Sequence, residues 1–328
     1  MKKVSLFLAI ILTLSLALTS CAETETPPAS PPDAAESPAE TESSYPLTFD
    51  NYGRAVTVTA KPERVLALGP NTAELLVALG LGDRIIGTSL RNHSRGPLPE
   101  YAAEYENIPE LNHSNATREA VISSGADFIY GLDWEFGGSG LDTDELATYG
   151  ITTYINSATT VELQYREIRD IGKIFGIEDR AEAFIADQQA RIAAVKEKIA
   201  GSTAPDVLIC DSIDAGIFTA SGINFASLLL ELAGGNNVFG DLNEKAWVTV
   251  SYEEVLAREP EVIVIFDYDS PSVEEKIAQI KANDILSQLD AVKNERFVIL
   301  ELESVLPGDR LAYSVEKLSA GFYPDLFK

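Results

Sequence analysis

Residues 71–87, NTAELLVALGLGDRIIG, align without a gap with residues 224–240, NFASLLLELAGGNNVFG. Asparagine opens both. Leu75-Leu76 falls on Leu228-Leu229, a Gly-rich stop follows in each, and Ile85-Ile86-Gly87 falls on Val238-Phe239-Gly240. A second pair comes in the same order: residues 117–131, TREAVISSGADFIYG, and residues 251–265, SYEEVLAREPEVIVI. Thr117 and Ser251 are hydroxyl residues suited to cap a helix start. Glu119 and Glu253 each follow two residues later, then a helical stretch, an acidic residue and an apolar strand. Two matches in one order predict duplicated halves.

Working outward, short apolar runs recur at 65–68, 85–86, 128–130, 207–210, 262–266 and 297–300. Helical patterns separate them, which predicts parallel sheets covered by helices. Residues 161–200 hold no proline. Ile168, Ile171, Phe175, Phe184, Ile185, Ile192, Val195 and Ile199 sit there at helical spacing, with Gly172 and Gly176 as the interruptions. The expected fold is α/β: an N-terminal lobe (45–160), a long linking helix (161–200) interrupted near Gly176, and a similar C-terminal lobe (201–328). Ligands of such sheets bind at the carboxyl ends of the strands, here in a cleft between lobes.

The chain opens with Lys2-Lys3 and an apolar run from Val4 to Leu18 broken by Ser5, Thr13 and Ser15. Charge followed by an apolar run shorter than a membrane span is the layout of a signal peptide. Residues 22–44 contain no aromatic residue and no Leu, Ile or Val. Such a segment cannot bury enough apolar surface to order itself, so 21–44 is expected to be a disordered tether. The formal charge is −26, from 25 basic and 51 acidic residues. Phosphate backbones need a basic face, so nucleic acid is not an expected partner. Of the two cysteines, Cys210 lies in the apolar run 207–210 and is expected to be a small buried strand residue.

Leu18-Thr19-Ser20-Cys21 resembles the lipobox of bacterial lipoproteins. That resemblance implies a signal peptide over 1–20 and a lipid on Cys21, anchoring the chain outside the cell membrane. YPLTFDNYGRAVTVTAKPERVLALGPNTAELLVALGLGDRIIGTS (45–89) is similar to the opening lobe of helical-backbone substrate-binding proteins. LLLELAGGNNVF (228–239) and VSYEEVLAREPEVIVI (250–265) resemble the second-lobe signature of the same family. These proteins serve ABC importers of iron–siderophores, haem and cobalamin.

The resemblance implies no enzymatic activity and no resident cofactor. It implies a monomer that hands its ligand to a permease and its ATPase. The ligand expected first is a ferric siderophore; cobalamin and haem are the alternatives. A glutamate on each lobe would dock into permease arginines, a task suited to charge-assisted pairs. Glu74 matches on the first lobe, although Asn71-x-x-Glu74 also reads as a capping box. On the second lobe the family position falls on Leu228 or, by the internal repeat, on Ser227. Glu231, one helical turn from Leu228, is the remaining candidate.

Loops after the strands supply the candidate ligand residues Asn71, Arg91, His93, Trp134, Trp247, Tyr268 and Arg310. The two tryptophans both fall in such loops, as flat walls for a ring-bearing ligand. Arg91, Arg95 and Arg310 would meet an anionic ferric chelate. With two histidines, His93 and His113, the chain lacks the ligands of a zinc or manganese site of its own. Gly137-Gly-Ser-Gly140 does not open a helix after a strand, and no G-x-S-x-G or phosphate-loop lysine occurs. An enzyme, or a surface interaction protein without a small ligand, is therefore the less favoured class.

Overall fold

The duplication reappears as strand order. A computed structural model describes residues 45–328 except 139. The signal peptide, Cys21 and the tether lie outside the described residues. A hairpin of β1 (Leu47–Asn51) and β2 (Arg54–Val58) leads in. Then come β3 (Val65–Leu68), α1 (Pro70–Ala78), β4 (Ile85–Thr88), α2 (Ala102–Tyr105), α3 (Arg118–Ser123), β5 (Phe128–Leu132), α4 (Thr143–Thr148) and β6 (Thr152–Asn156). The four central strands form a parallel sheet in the order β4-β3-β5-β6.

After α5 (Val161–Phe175) and α6 (Glu178–Lys198), the second lobe contains β7 (Asp206–Cys210), β8 (Ser212–Ile213), β9 (Ile217–Ala220), α7 (Phe225–Leu232), β10 (Asn236–Asn237), β11 (Trp247–Val250) and α8 (Tyr252–Arg258). It continues with β12 (Val262–Asp267), α9 (Val273–Ala282), α10 (Asp290–Lys293), β13 (Phe297–Glu301) and α11 (Leu311–Phe322). Its parallel sheet runs β10-β7-β12-β13. In each lobe the strands therefore stand in the order second, first, third, fourth. The small antiparallel sheet β11-β9-β8 is an addition to the second lobe. All four residues of β3 and all five of β5 are buried, as strands with helices on both faces require.

The repeat units match element for element: α1–β4 with α7–β10, and α3–β5 with α8–β12. Thr117 caps α3 by accepting the Ala120 N–H, and Ser251 caps α8 in a full capping box with Glu254. Asn224 caps α7, but Asn71 does not cap α1. That helix begins at Pro70, whose fixed φ suits the first helical position, so Asn71 lies inside the first turn. The expected capping box of Asn71 and Glu74 is absent.

The stretch 161–200 is not one rod. Gly176 takes a left-handed conformation (φ 61°) that ends α5, and α6 folds back against it. Arg169 pairs with Glu182 across the two helices. The hairpin faces both halves. Tyr154 donates to Asp170 of α5 at 2.8 Å, while Gln188 of α6 accepts the Ala312 N–H at 2.9 Å at the start of α11.

Candidate functional site

Four strand ends meet here: β4 and β5 of the first lobe, β7 and β12 of the second. Past β4, Leu90 holds a left-handed conformation (φ 59°) that turns the chain into the short helix Arg91–His93. A non-glycine residue there costs on the order of 1 kcal/mol and persists only when its surroundings fix it. The Leu90 side chain is locked among Leu132, just before Trp134, and Leu306. Buried Glu135 ties the same loops together, accepting from the Ser89 hydroxyl at 2.6 Å and the Ala116 N–H at 3.0 Å.

His93 is thereby placed against aromatic rings from both lobes. Its ring lies 5.9 Å from Trp134, edge to face, and 6.3 Å from Tyr268, stacked. Burial lowers the His93 pKa, with nearby Asp211 opposing the shift. Tyr268 follows β12 and donates to Asp211, which follows β7, at 3.2 Å. Lys276 of α9 is fully buried beneath Tyr268. Its ammonium lies 3.6 Å from the ring centroid and donates to the Phe266 carbonyl at 2.6 Å. Burial raises the Asp211 pKa and lowers that of Lys276, and each charge offsets the shift of the other. Trp247 is half-buried, stacked 5.5 Å from Phe218 and edge-on to Phe266.

The expected arginines take other roles. Arg310 is 3% exposed, and its guanidinium binds the Glu74 carboxylate through Nε at 2.9 Å, with Glu303 3.6 Å away. It also donates to the Gly96 carbonyl at 2.6 Å. Arg91 donates to the Ile108 carbonyl at 2.9 Å, beside Glu110 at 3.7 Å and over the Tyr105 ring. Arg95 crosses from the first lobe to Asp267 at the end of β12, at 2.8 Å. Asn71 is buried as well, donating to Asn156 at 3.0 Å and to the Pro307 carbonyl at 2.7 Å. Asn71 and Arg310 are thus structural struts rather than ligand contacts.

Glu74 requires a correction of the same kind. It is 1% exposed, held by Arg310 and by the Leu98 N–H at 2.7 Å. A carboxylate so enclosed presents nothing to a docking partner. Glu231 is exposed, at the rim of a polar groove of about 640 Å³ lined by Thr159, Asn224 and Ser227. The first lobe carries no counterpart, because Ala78 aligns there.

Sequence reasoning missed Asp211, Lys276, Glu135 and Glu303. Asp211 had a usable signal, since it is the residue directly after an apolar strand. Lys276 also had one: it lies one turn before buried Ile280, on the inward stripe of α9.

Residues 65–302 match the family described as "Periplasmic binding protein". The chain belongs to that family. This binding protein is of the class expected from its sequence, a non-enzymatic substrate-binding component of ABC transporters. It is similar to an uncharacterized ABC transporter substrate-binding lipoprotein, YvrC, of Bacillus subtilis, at 27% identity over 87% of this chain and 88% of the relative. A vitamin B12-binding protein of Photorhabdus laumondii is 30% identical over 63% of this chain and 71% of its own. A periplasmic binding protein from Veillonella parvula superposes with a TM-score of 0.76 at 27% identity, covering 85% of this chain and 97% of that one. Among the described residues, no helix of this binding protein is long and apolar enough to cross a membrane.

Proposed function

We propose that this binding protein captures a corrinoid-type metal chelate outside the cell membrane and delivers it to an ABC permease. The observation that carries the reading is the aromatic set His93, Trp134 and Tyr268, drawn from both lobes at the carboxyl ends of their strands. Flat rings suit a large macrocycle. The similarity to a vitamin B12-binding protein supports the same class. A ferric siderophore, the ligand expected first from the sequence, leaned on free arginines. Arg91, Arg95 and Arg310 are each engaged by a carboxylate, so an anionic chelate loses its expected partners. Trp134→Ala and Tyr268→Ala should each weaken cyanocobalamin binding about tenfold or more. Unchanged affinity in both variants would remove the site from the reading.

Docking is assigned here to Glu119 and Glu253 in place of buried Glu74. They occupy equivalent positions in the first turns of α3 and α8. Both are exposed, and neither carboxylate has a partner among the described residues. A helix that returns to start a parallel strand begins at the carboxyl edge of its sheet, so both carboxylates lie at the cleft-side ends of their lobes. The anchor is Cys21: Cys21→Ser should move the protein from the membrane fraction to the soluble one, and persistent membrane association would contradict it.

A further inference from the structure

Buried Glu167 of α5 ends a chain of side chains that reaches across to the second lobe. Its Oε1 accepts the Ser157 N–H at 3.1 Å, and its Oε2 accepts the Asn156 amide at 2.8 Å. Asn156 Oδ1 in turn accepts from Asn71 Nδ2 at 3.0 Å, and the same Nδ2 donates to the Pro307 carbonyl at 2.7 Å. Asn71 Oδ1 is buried and has no partner. Gly308 lies so close to α1 that a Cβ there would meet Asn71 Cβ at 3.2 Å. Leu306 packs with Leu90 and Leu132, behind the loops that carry His93 and Trp134.

An ionised carboxylate only accepts hydrogen bonds, as does a carbonyl. With Glu167 charged, Asn156 must turn its nitrogen to Glu167 and its oxygen to Asn71. Asn71 must then turn its nitrogen to both Asn156 and Pro307. A proton on Glu167 reverses each choice. The new O–H needs an acceptor, which Asn156 Oδ1 supplies once its amide inverts. The Tyr130 hydroxyl, 2.9 Å from that amide, donates to the same oxygen. Asn156 Nδ2 then faces Asn71, whose unpartnered Oδ1 accepts after the same inversion. The oxygens of Asn71 and Pro307 are left facing each other with no proton between them, so residues 306–308 must lift from α1.

We propose that Glu167 is a proton sensor: one proton taken from solvent at Oε2 inverts the Asn156 and Asn71 amides, releases Pro307 and loosens the wall behind the cleft loops. One O–H bond forms, and no other covalent bond changes. The charged and titratable groups around Glu167 are Arg166 and Asp170 of its own helix, Tyr130 of β5 and Tyr154 of β6. Arg166 favours the charged form, and Tyr154 donates to Asp170. On the segment 302–310, Asp309 and Arg310 face Glu74 instead.

Hydrogen exchange of the purified protein, corrected for the intrinsic pH dependence, tests the relay. The backbone amides of 304–309 should exchange about fivefold faster at about pH 6 than at about pH 8. The Pro307 carbonyl carbon, followed by NMR, should shift with the Glu167 carboxyl carbon, at a common midpoint near 7. Glu167→Gln keeps an acceptor for Ser157 and presents an amide N–H to Asn156, so it mimics the protonated acid. It should exchange fast at both pH values. Asn71→Ala, which lacks the donor to Pro307, should do the same. Equal exchange at both pH values in the wild type, while the Glu167 carboxyl titrates, would overturn the proposal. A pH difference that survives in Glu167→Gln, or slow exchange in Asn71→Ala, would overturn it too, because the proton would act elsewhere or Pro307 would be held by another contact.

Discussion

Arg310 serves three acids. Glu74, Glu303 and Asp309 surround it, all buried. Burial raises the pKa of Glu303, and that of Asp309 more strongly; the Arg310 charge opposes both shifts, while Glu74 adds to that of Asp309. Glu74 is the acid that Arg310 grips through two nitrogens, and it also accepts the Leu98 N–H. Removing Glu74 breaks both guanidinium contacts inside the protein and leaves the Leu98 N–H unpaired, with Glu303 and Asp309 still beside the Arg310 charge. Glu74→Ala should therefore lower unfolding free energy by about 3 kcal/mol or more, read from the urea midpoint. A loss near 1 kcal/mol, typical of a helix cap, would show that the pair carries little of the stability. None of this was legible in the sequence. Glu74 stands in a stretch that reads as a capping box, and Arg310 in a loop that reads as a ligand mouth. Their contact spans 236 residues, so no local pattern announces it.

The elements were more legible than their ends. The apolar runs 65–68, 128–130, 207–210 and 262–266 each became a central strand, because a strand covered on both faces must be apolar throughout. The duplication was visible because Leu-Leu pairs and helix caps recur in matching order. The turn at Gly176 was partly visible; that α6 folds back on α5 was not, since a glycine marks an end without giving a direction. The face of α5 against the sheet carries the buried Glu167, which accepts the Ser157 N–H at 3.1 Å and the Asn156 amide at 2.8 Å. Burial pushes its pKa from 4.5 up to about 7. Folding thus favours the protonated form. The resulting stability is complete below pH 4.5 and is lost as pH rises through about 7. Over that window Glu167 should remove roughly 3 kcal/mol. Glu167→Gln should flatten this slope in urea titrations run from pH 4 to pH 8, whatever its effect on absolute stability. An unchanged slope would place the titration elsewhere.

At the scale of the molecule, two lobes, a helical hairpin and the crossing segment 302–310 form one frame. Loop 89–96 of the first lobe is fastened to the second by Ser94 and Arg95 on Glu303 and by Arg95 on Asp267. Such a frame is expected to change little when ligand binds, leaving the permease to read carboxylates held at the cleft edge. Glu119→Ala with Glu253→Ala should lower uptake tenfold or more, since losing charge pairs at an interface costs about 2 kcal/mol or more, while ligand affinity stays constant. Wild-type uptake by the double variant would return the docking role to other residues, Glu231 among them. Calorimetric titration of the purified protein decides the ligand class. Cyanocobalamin should bind one to one with Kd of about 1 µM or tighter, and a ferric hydroxamate and haem at least tenfold more weakly. Saturable binding of the ferric chelate or haem, with no heat from cyanocobalamin, would contradict the account.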